Sequence, residues 1–267
     1  MAKPLTSVFG GRLDRLSALI ERFRVHAEIT EPQSSNEKSA NLFVFRRGDG
    51  AMRLAFSPNR KPDEGRCASE LPGEAEVLAV AAGIRVSGVA DHLVAALPRC
   101  IAVELDAAPD IRAVVLPLVA EIETPRCGGL AVFHRLCEIV VIRLLRHALE
   151  TGAADVGALA GLGHPRLARA LVAIHERPAE DWTLERLGIE AGMSRTQFAV
   201  SFKETVGVTP GIYLSNWRLE VARAELKTGQ AVNKVARTCG FASAAAFSRA
   251  FARRYGHSPK TEQLRAG

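Results

Sequence analysis

Along the last third of the chain the apolar positions fall in the same order twice. From Thr183 to Pro210 the chain reads TLERLGIEAGMSRTQFAVSFKETVGVTP, and from Ala231 to Pro259 it reads AVNKVARTCGFASAAAFSRAFARRYGHSP. Leu184, Leu187, Ala191 and Gly192 match Val232, Val235, Cys239 and Gly240 at an offset of 48. After one extra residue in the second turn, Ser194, Phe198, Phe202, Gly207 and Pro210 match Ser243, Phe247, Phe251, Gly256 and Pro259 at 49. Each copy predicts a helix, a sharp turn at glycine and a second helix. Thr183 and Ser194 are the expected N-caps, with Trp182 placed to staple onto the first helix. Gly192 can take the positive φ that the bend demands.

The same patterning divides the rest. A helix is predicted from His164 to Arg177, with Pro165 in its first turn and Leu167, Leu171 and Ile174 buried. Another, from Pro210 to Leu226, joins the two copies, with Tyr213, Trp217, Val221 and Leu226 as core. In the first half, residues 12–24 carry Leu13, Leu16, Ile20 and Phe23 at helical spacing, and the polar run 31–38 reads as a loop. Residues 41–47 and 51–57 flank Gly48-Asp49-Gly50, a hairpin signal, with Met52, Leu54 and Phe56 alternating as in a half-buried strand. Residues 57–65 are turn-rich. Short strands are expected at 76–80 and 84–87 and a short helix at 91–97. Helices are expected at 111–124, kinked or delayed by Pro117, and at 130–150. The stripe Leu130, Phe133, Cys137, Val140, Leu144 and Ala148 on the latter fits either core or a dimer seam.

The expected fold class is therefore α+β. A small N-terminal β domain with closing helices (1–150) precedes a Gly- and Ala-rich linker (151–164) and an all-α double helix-turn-helix domain (165–267).

Charge sharpens this division. From residue 165 onward there are 16 Lys and Arg against 9 Asp and Glu, while the preceding part has 19 against 20. The basic excess sits on the helix-turn-helix half, as a polyanionic partner requires. The five cysteines, at 67, 100, 127, 137 and 239, form no C-x-x-C pair or metal-ligand spacing, which fits a reducing cytosol. Cys239, before the turn glycine, reads as core. No segment reaches the ~20 apolar residues of a membrane span, so a cytoplasmic protein with no membrane partner is expected.

Two helix-turn-helix units on one body suit successive major-groove segments of double-stranded DNA, about 34 Å apart. With the phenylalanines inward, Thr196, Ala199, Val200 and Lys203 face outward in the first copy, and Ala245, Ser248, Arg249 and Ala252 in the second. Arg249 is the strongest candidate, because a guanidinium can bond bidentately to guanine or clamp a phosphate. Ala244 and Ala245 offer apolar contact to thymine methyls. Arg195 and Arg253 are further candidates, Arg253 and Arg254 being placed for phosphate or water, and Arg218 for the backbone between the inserted helices.

The residues WTLERL, AGMSR, the Phe198/Phe202 pair with Lys203, then VG, Pro210, YL and WRL, and finally VA, CGF and SAAAFSRAFARRYGHSP closely resemble the AraC/XylS transcription regulators over roughly residues 165–261. The resemblance implies a seven-helix domain of two subdomains joined by the long helix. It also implies activation of transcription from asymmetric promoter sites, with RNA polymerase as a partner. One departure concerns Val200 and Ser201, where family members often carry basic or polar residues. It leaves Thr196, Ser201 and Lys203 to serve the first unit, with fewer bases read there.

The helix RLDRLSALI, the hairpin, VADHLVAALPRC and the two closing helices faintly resemble the cupin-type sensor domain of one branch of that family. In that branch the closing helices dimerise, which implies a homodimer and a small-molecule effector. The strand portion is short for a complete barrel and lacks the H-x-H pair of a metal-binding cupin, with His26, His92 and His134 isolated. A shortened metal-free sensor and a degenerate, purely dimerising barrel both remain open, and no cofactor is expected. A cupin oxygenase and a methyl-accepting repair domain need residues the chain does not cluster, and an amidase-like domain needs an α/β core for which about 150 residues without parallel βαβ signals are too few, so no enzyme is expected. The remaining alternative is a DNA-binding protein that responds to no ligand.

Overall fold

The computed structural model describes residues 13–20, 23–29, 40–58, 66–88, 97–153 and 156–265. Its first element departs from the expected helix over 12–24. A single turn, α1 (Ser17–Ile20), is followed by a strand, β1 (Phe23–Ile29). Asp14 caps the turn by accepting from the Ser17 amide at 2.9 Å. The run FRVHAEI carries a competing period of two, and sheet pairing decides between the periods.

The hairpin forms where the sequence places it. Strands β2 (Leu42–Arg47) and β3 (Met52–Phe56) are antiparallel, with Arg46 opposite Met52. Asp49 Oδ1 accepts from the Ala51 amide at 2.9 Å, and Gly50 has a φ of +88°. Instead of being half-buried, β3 is covered on both faces: Met52, Leu54, Ala55 and Phe56 are all buried. The two short strands expected next are one, β4 (Glu76–Gly88), whose pairing with β2 shifts register between Val44 and Phe45. A strand not signalled by the hydrophobic pattern, β5 (Ile101–Glu104), pairs with β3, giving the order β1-β4-β2-β3-β5. Its alternating burial was legible in IAVE, but four residues are too few to call a period. The loop at 31–38, most of the 57–65 stretch and all but the last residue of the helix expected at 91–97, His92 included, lie outside the described residues.

Helix α2 (Pro109–Glu123) runs through Pro117 without a delayed start, and α3 (Gly129–Thr151) packs against it. Phe133, Cys137, Val140, Leu144 and Ala148 are buried within the chain, so that stripe is core. Burial pushes the Cys137 thiol up to about 12. Leu130, the first residue of the expected stripe, is exposed.

The described residues divide into two compact units, residues 24–87 and 97–153 in one, residues 13–20, 23, 88 and 156–265 in the other. In the second, Arg15 Nη1 donates to the Leu162 carbonyl at 3.1 Å, which ties the segment around α1 to this unit. The segment expected as linker carries α4 (Ala158–Gly163), with Ala158, Leu159 and Leu162 buried. Seven helices follow: α5 (Leu167–Glu176), α6 (Leu184–Ala191), α7 (Arg195–Val206), α8 (Pro210–Lys227), α9 (Val232–Thr238), α10 (Ala244–Tyr255) and α11 (Pro259–Arg265). Helix α5 starts three residues later than the pattern placed it. His164 Nδ1 accepts from the Arg166 and Leu167 amides, both at 3.2 Å, just ahead of the helix. Among the described residues, no helix is long and apolar enough to cross a membrane.

Candidate nucleic-acid interface

Helices α7 and α10 are built alike. Each has 12 residues, and each is capped by a serine hydroxyl: Ser194 accepts from the Gln197 amide at 3.3 Å and Ser243 from the Ala246 amide at 3.1 Å. Each ends at a left-handed glycine, Gly207 or Gly256, with φ of +84° and +75°. Phe198 and Phe202 on α7, and Phe247 and Phe251 on α10, are fully buried, with ring centroids 5.4 and 5.5 Å apart. Because each pair spans one turn, it fixes the helix's rotation and so dictates which residues face solvent.

Arg195, Thr196, Val200 and Lys203 are exposed on α7, while Ala199 and Ser201 are half-buried. Ala245, Arg249, Ala252 and Arg253 are exposed on α10, and Ser248 is half-buried. Arg254, further along, is exposed and pairs with the buried Glu220 carboxylate of α8 at 3.3 Å.

Arg218 is placed differently. On α8, it donates from Nε to the Pro178 carbonyl at 2.7 Å and from Nη2 to the Glu180 carbonyl at 2.8 Å. Burial lowers the pKa of its guanidinium from the ordinary value. The loop it holds also meets the turn of the second copy. Gly240 has a φ of +77°, and a Cβ there would lie 2.8 Å from the Ala179 Cα and 3.0 Å from Arg218 Nη2. The Arg218 side chain, the 178–180 loop and Gly240 thus join the first helix-turn-helix unit to the second. The sequence signalled the glycine's positive φ; its backbone neighbour lies 61 positions away and left no local trace.

Around this junction the aromatic residues are structural, as their spacing implied. Trp182 stands between the Arg177 and Arg186 guanidiniums, 5.0 and 4.9 Å from its ring, and donates from Nε1 to the Arg177 carbonyl at 2.9 Å. Trp217 packs on His175 with centroids 4.3 Å apart, and His175 Nε2 shares a 2.7 Å hydrogen bond with the Tyr213 hydroxyl. Burial raises the Tyr213 pKa. Beneath α10, the Glu262 carboxylate of α11 is buried, which opposes its ionisation. Hydrogen bonds from Arg223 and His257 outweigh that burial and hold its pKa below the usual range.

Residues 187–265 match the helix-turn-helix domain family, and residues 23–150 match the cupin family. The chain is similar to the HTH-type transcriptional regulator AlkR of Acinetobacter baylyi, with 38% identity over 142 residues, 52% of this chain and 46% of the relative. It is 39% identical over 137 residues to a Streptomyces lividans protein assigned as an AraC-like transcription regulator, covering 51% of this chain and 45% of that one. The matched stretch is thus about half the length of these curated relatives. Among solved structures, the DNA-binding domain of AdpA in complex with a target DNA is 31% identical, covering 38% of this chain and 93% of that chain, with a TM-score of 0.37.

Proposed function

We propose that the chain is an AraC-like transcription regulator that binds promoter DNA by presenting α7 and α10 to two successive major-groove segments. The observation that carries this reading is the pairing of two helices of equal length and equal capping in one compact unit, each rotated by buried phenylalanines so that basic and small polar residues face outward. Arg249 bonds to a guanine edge or clamps a phosphate, and Thr196, Ser201, Ala245 and Ser248 line the remaining base-facing positions. Lys203, Arg195 and Arg253 neutralise phosphates. Arg218 serves the interface by holding the two units in register, its side chain being bonded to the 178–180 loop.

The N-terminal unit supplies regulation, as a dimerisation element, a small-molecule sensor or both; its match to the cupin family supports this assignment. With the core stripe of α3 buried, self-association falls to its other face, where Val132 and Ile139 are exposed at 45% and 41%. The whole protein acts in the cytoplasm as an activator working through RNA polymerase, with no catalytic step of its own.

Binding of the full-length chain to DNA fragments upstream of its own and neighbouring genes, read at two salt concentrations with and without a pool of metabolites, tests this reading. Selective binding that weakens with salt is the expected result, and an effect of the pool would identify a sensor. Absence of selective binding at either salt concentration would overturn the proposal.

A further inference from the structure

The two recognition helices carry different chemistry at one shared position. Val200 and Arg249 each lie six residues beyond the capping serine and between the two buried phenylalanines of their helix. Both are exposed, Val200 at 51%. On α7, Val200 has Thr196 one turn before it and Lys203 one turn after it, both exposed, with Arg195 at the start of the same helix. An isopropyl group can neither donate nor accept a hydrogen bond. In the major groove it can gain only from the one apolar feature of the base edges, the C5-methyl group of thymine.

We infer that Val200 seats on a thymine methyl in the half-site read by α7, while Arg249 at the matching position reads a guanine in the half-site read by α10. The inference rests on the DNA-binding reading above. The basic residues near Val200 support a groove occupant over an apolar protein partner: Arg195 at the helix start and Lys203 one turn on are exposed and placed for the phosphates that border a major groove, with Glu204 the one acidic residue of the helix. Ala199 beside it is also apolar and half-buried, so this part of α7 offers a small methyl-bearing surface. The consequence is an operator whose halves differ in composition. A T·A pair is required where the other half has a G·C pair, and this fixes the direction in which the protein sits on its site.

The test uses the full-length chain and a duplex selected by it from randomised DNA. Each thymine of the selected site is replaced in turn by deoxyuridine, which removes only the C5-methyl. One position in the α7 half-site should weaken wild-type binding about fourfold, the worth of a buried methyl-sized group. Val200→Ala should bind the parent duplex more weakly and be indifferent to that same replacement. Val200→Arg, repeated through the selection, should exchange T·A for G·C at that pair. A replacement that weakens wild type and Val200→Ala equally, or a site in which no deoxyuridine matters, overturns the inference while the DNA-binding reading stands. If the chain selects no duplex, the DNA-binding reading fails and this inference fails with it.

Discussion

Val200 and Arg249 occupy equivalent positions on two helices that share length, cap and buried anchors, yet one side chain is apolar and the other a permanent cation. Their helices are structural duplicates, and their chemistry has diverged. Rotation set by the Phe198/Phe202 and Phe247/Phe251 pairs is what makes the comparison position by position meaningful.

Arg249→Ala should weaken binding to the selected site by about 1–3 kcal/mol and relax preference at one base pair. Lys203→Ala should weaken binding to all sequences alike and lower the slope of log K against log salt by about one. Electrophoretic or fluorescence titrations on selected and scrambled duplexes at several salt concentrations separate the two. Equal affinity of wild type and Arg249→Ala for the selected site would remove Arg249 from the interface.

Arg218→Ala should behave as a stability variant. It leaves the Pro178 and Glu180 carbonyls without their donor, a loss of roughly 1–3 kcal/mol. Thermal unfolding of the full chain should show a lowered midpoint for the C-terminal transition, with the salt slope of DNA binding unchanged. A reduced salt slope at constant midpoint would place Arg218 on the phosphate backbone instead.

The two turn glycines should respond unequally to the same change. Gly192 has a φ of +63° and open space where a Cβ would go, so Gly192→Ala should cost about 1 kcal/mol. Gly240 combines a φ of +77° with the Ala179 backbone 2.8 Å from the Cβ position. Gly240→Ala therefore adds an overpacking cost and should reach about 2–4 kcal/mol. Denaturant midpoints of the two variants check the order, and a Gly192→Ala loss as large as that of Gly240→Ala would refute the contact argument.

Acid should loosen the N-terminal unit through Glu76. Arg53 donates to its carboxylate from Nε at 3.1 Å and from Nη2 at 2.6 Å. These bonds, opposed by burial and aided by the Gly73 amide, hold the Glu76 pKa at about 2 against an ordinary 4.5. The folded pKa lies below the unfolded one, so the stabilisation is complete above pH 4.5 and declines as pH falls toward 2. It is on the order of 1–3 kcal/mol. Glu76→Gln should lose that amount at neutral pH and flatten the stability profile across this window, as followed by urea unfolding at several pH values.

Much of the C-terminal unit was legible in the sequence because its determinants are local. Thr183 and Ser194 cap helices whose amides lie three residues away, Gly192 satisfies the backbone of its own turn, and phenylalanines four apart declare a buried face without reference to any distant residue. The hairpin around Asp49 was readable for the same reason. Where two periods competed, as in residues 12–24, or where a strand was short, as at Ile101–Glu104, the outcome rested on which neighbours the sheet supplied. Arg218 shows the limit most plainly. Its type and its place beside Trp217 fit a phosphate contact, but only the folded chain brings the Pro178 and Glu180 carbonyls, about forty residues back, within reach of its guanidinium. Local pattern determined the helices, their caps and their outward faces. Long-range packing decided which charged groups remained free at those faces, because a hydrogen-bond partner distant in sequence exists only after the chain has folded.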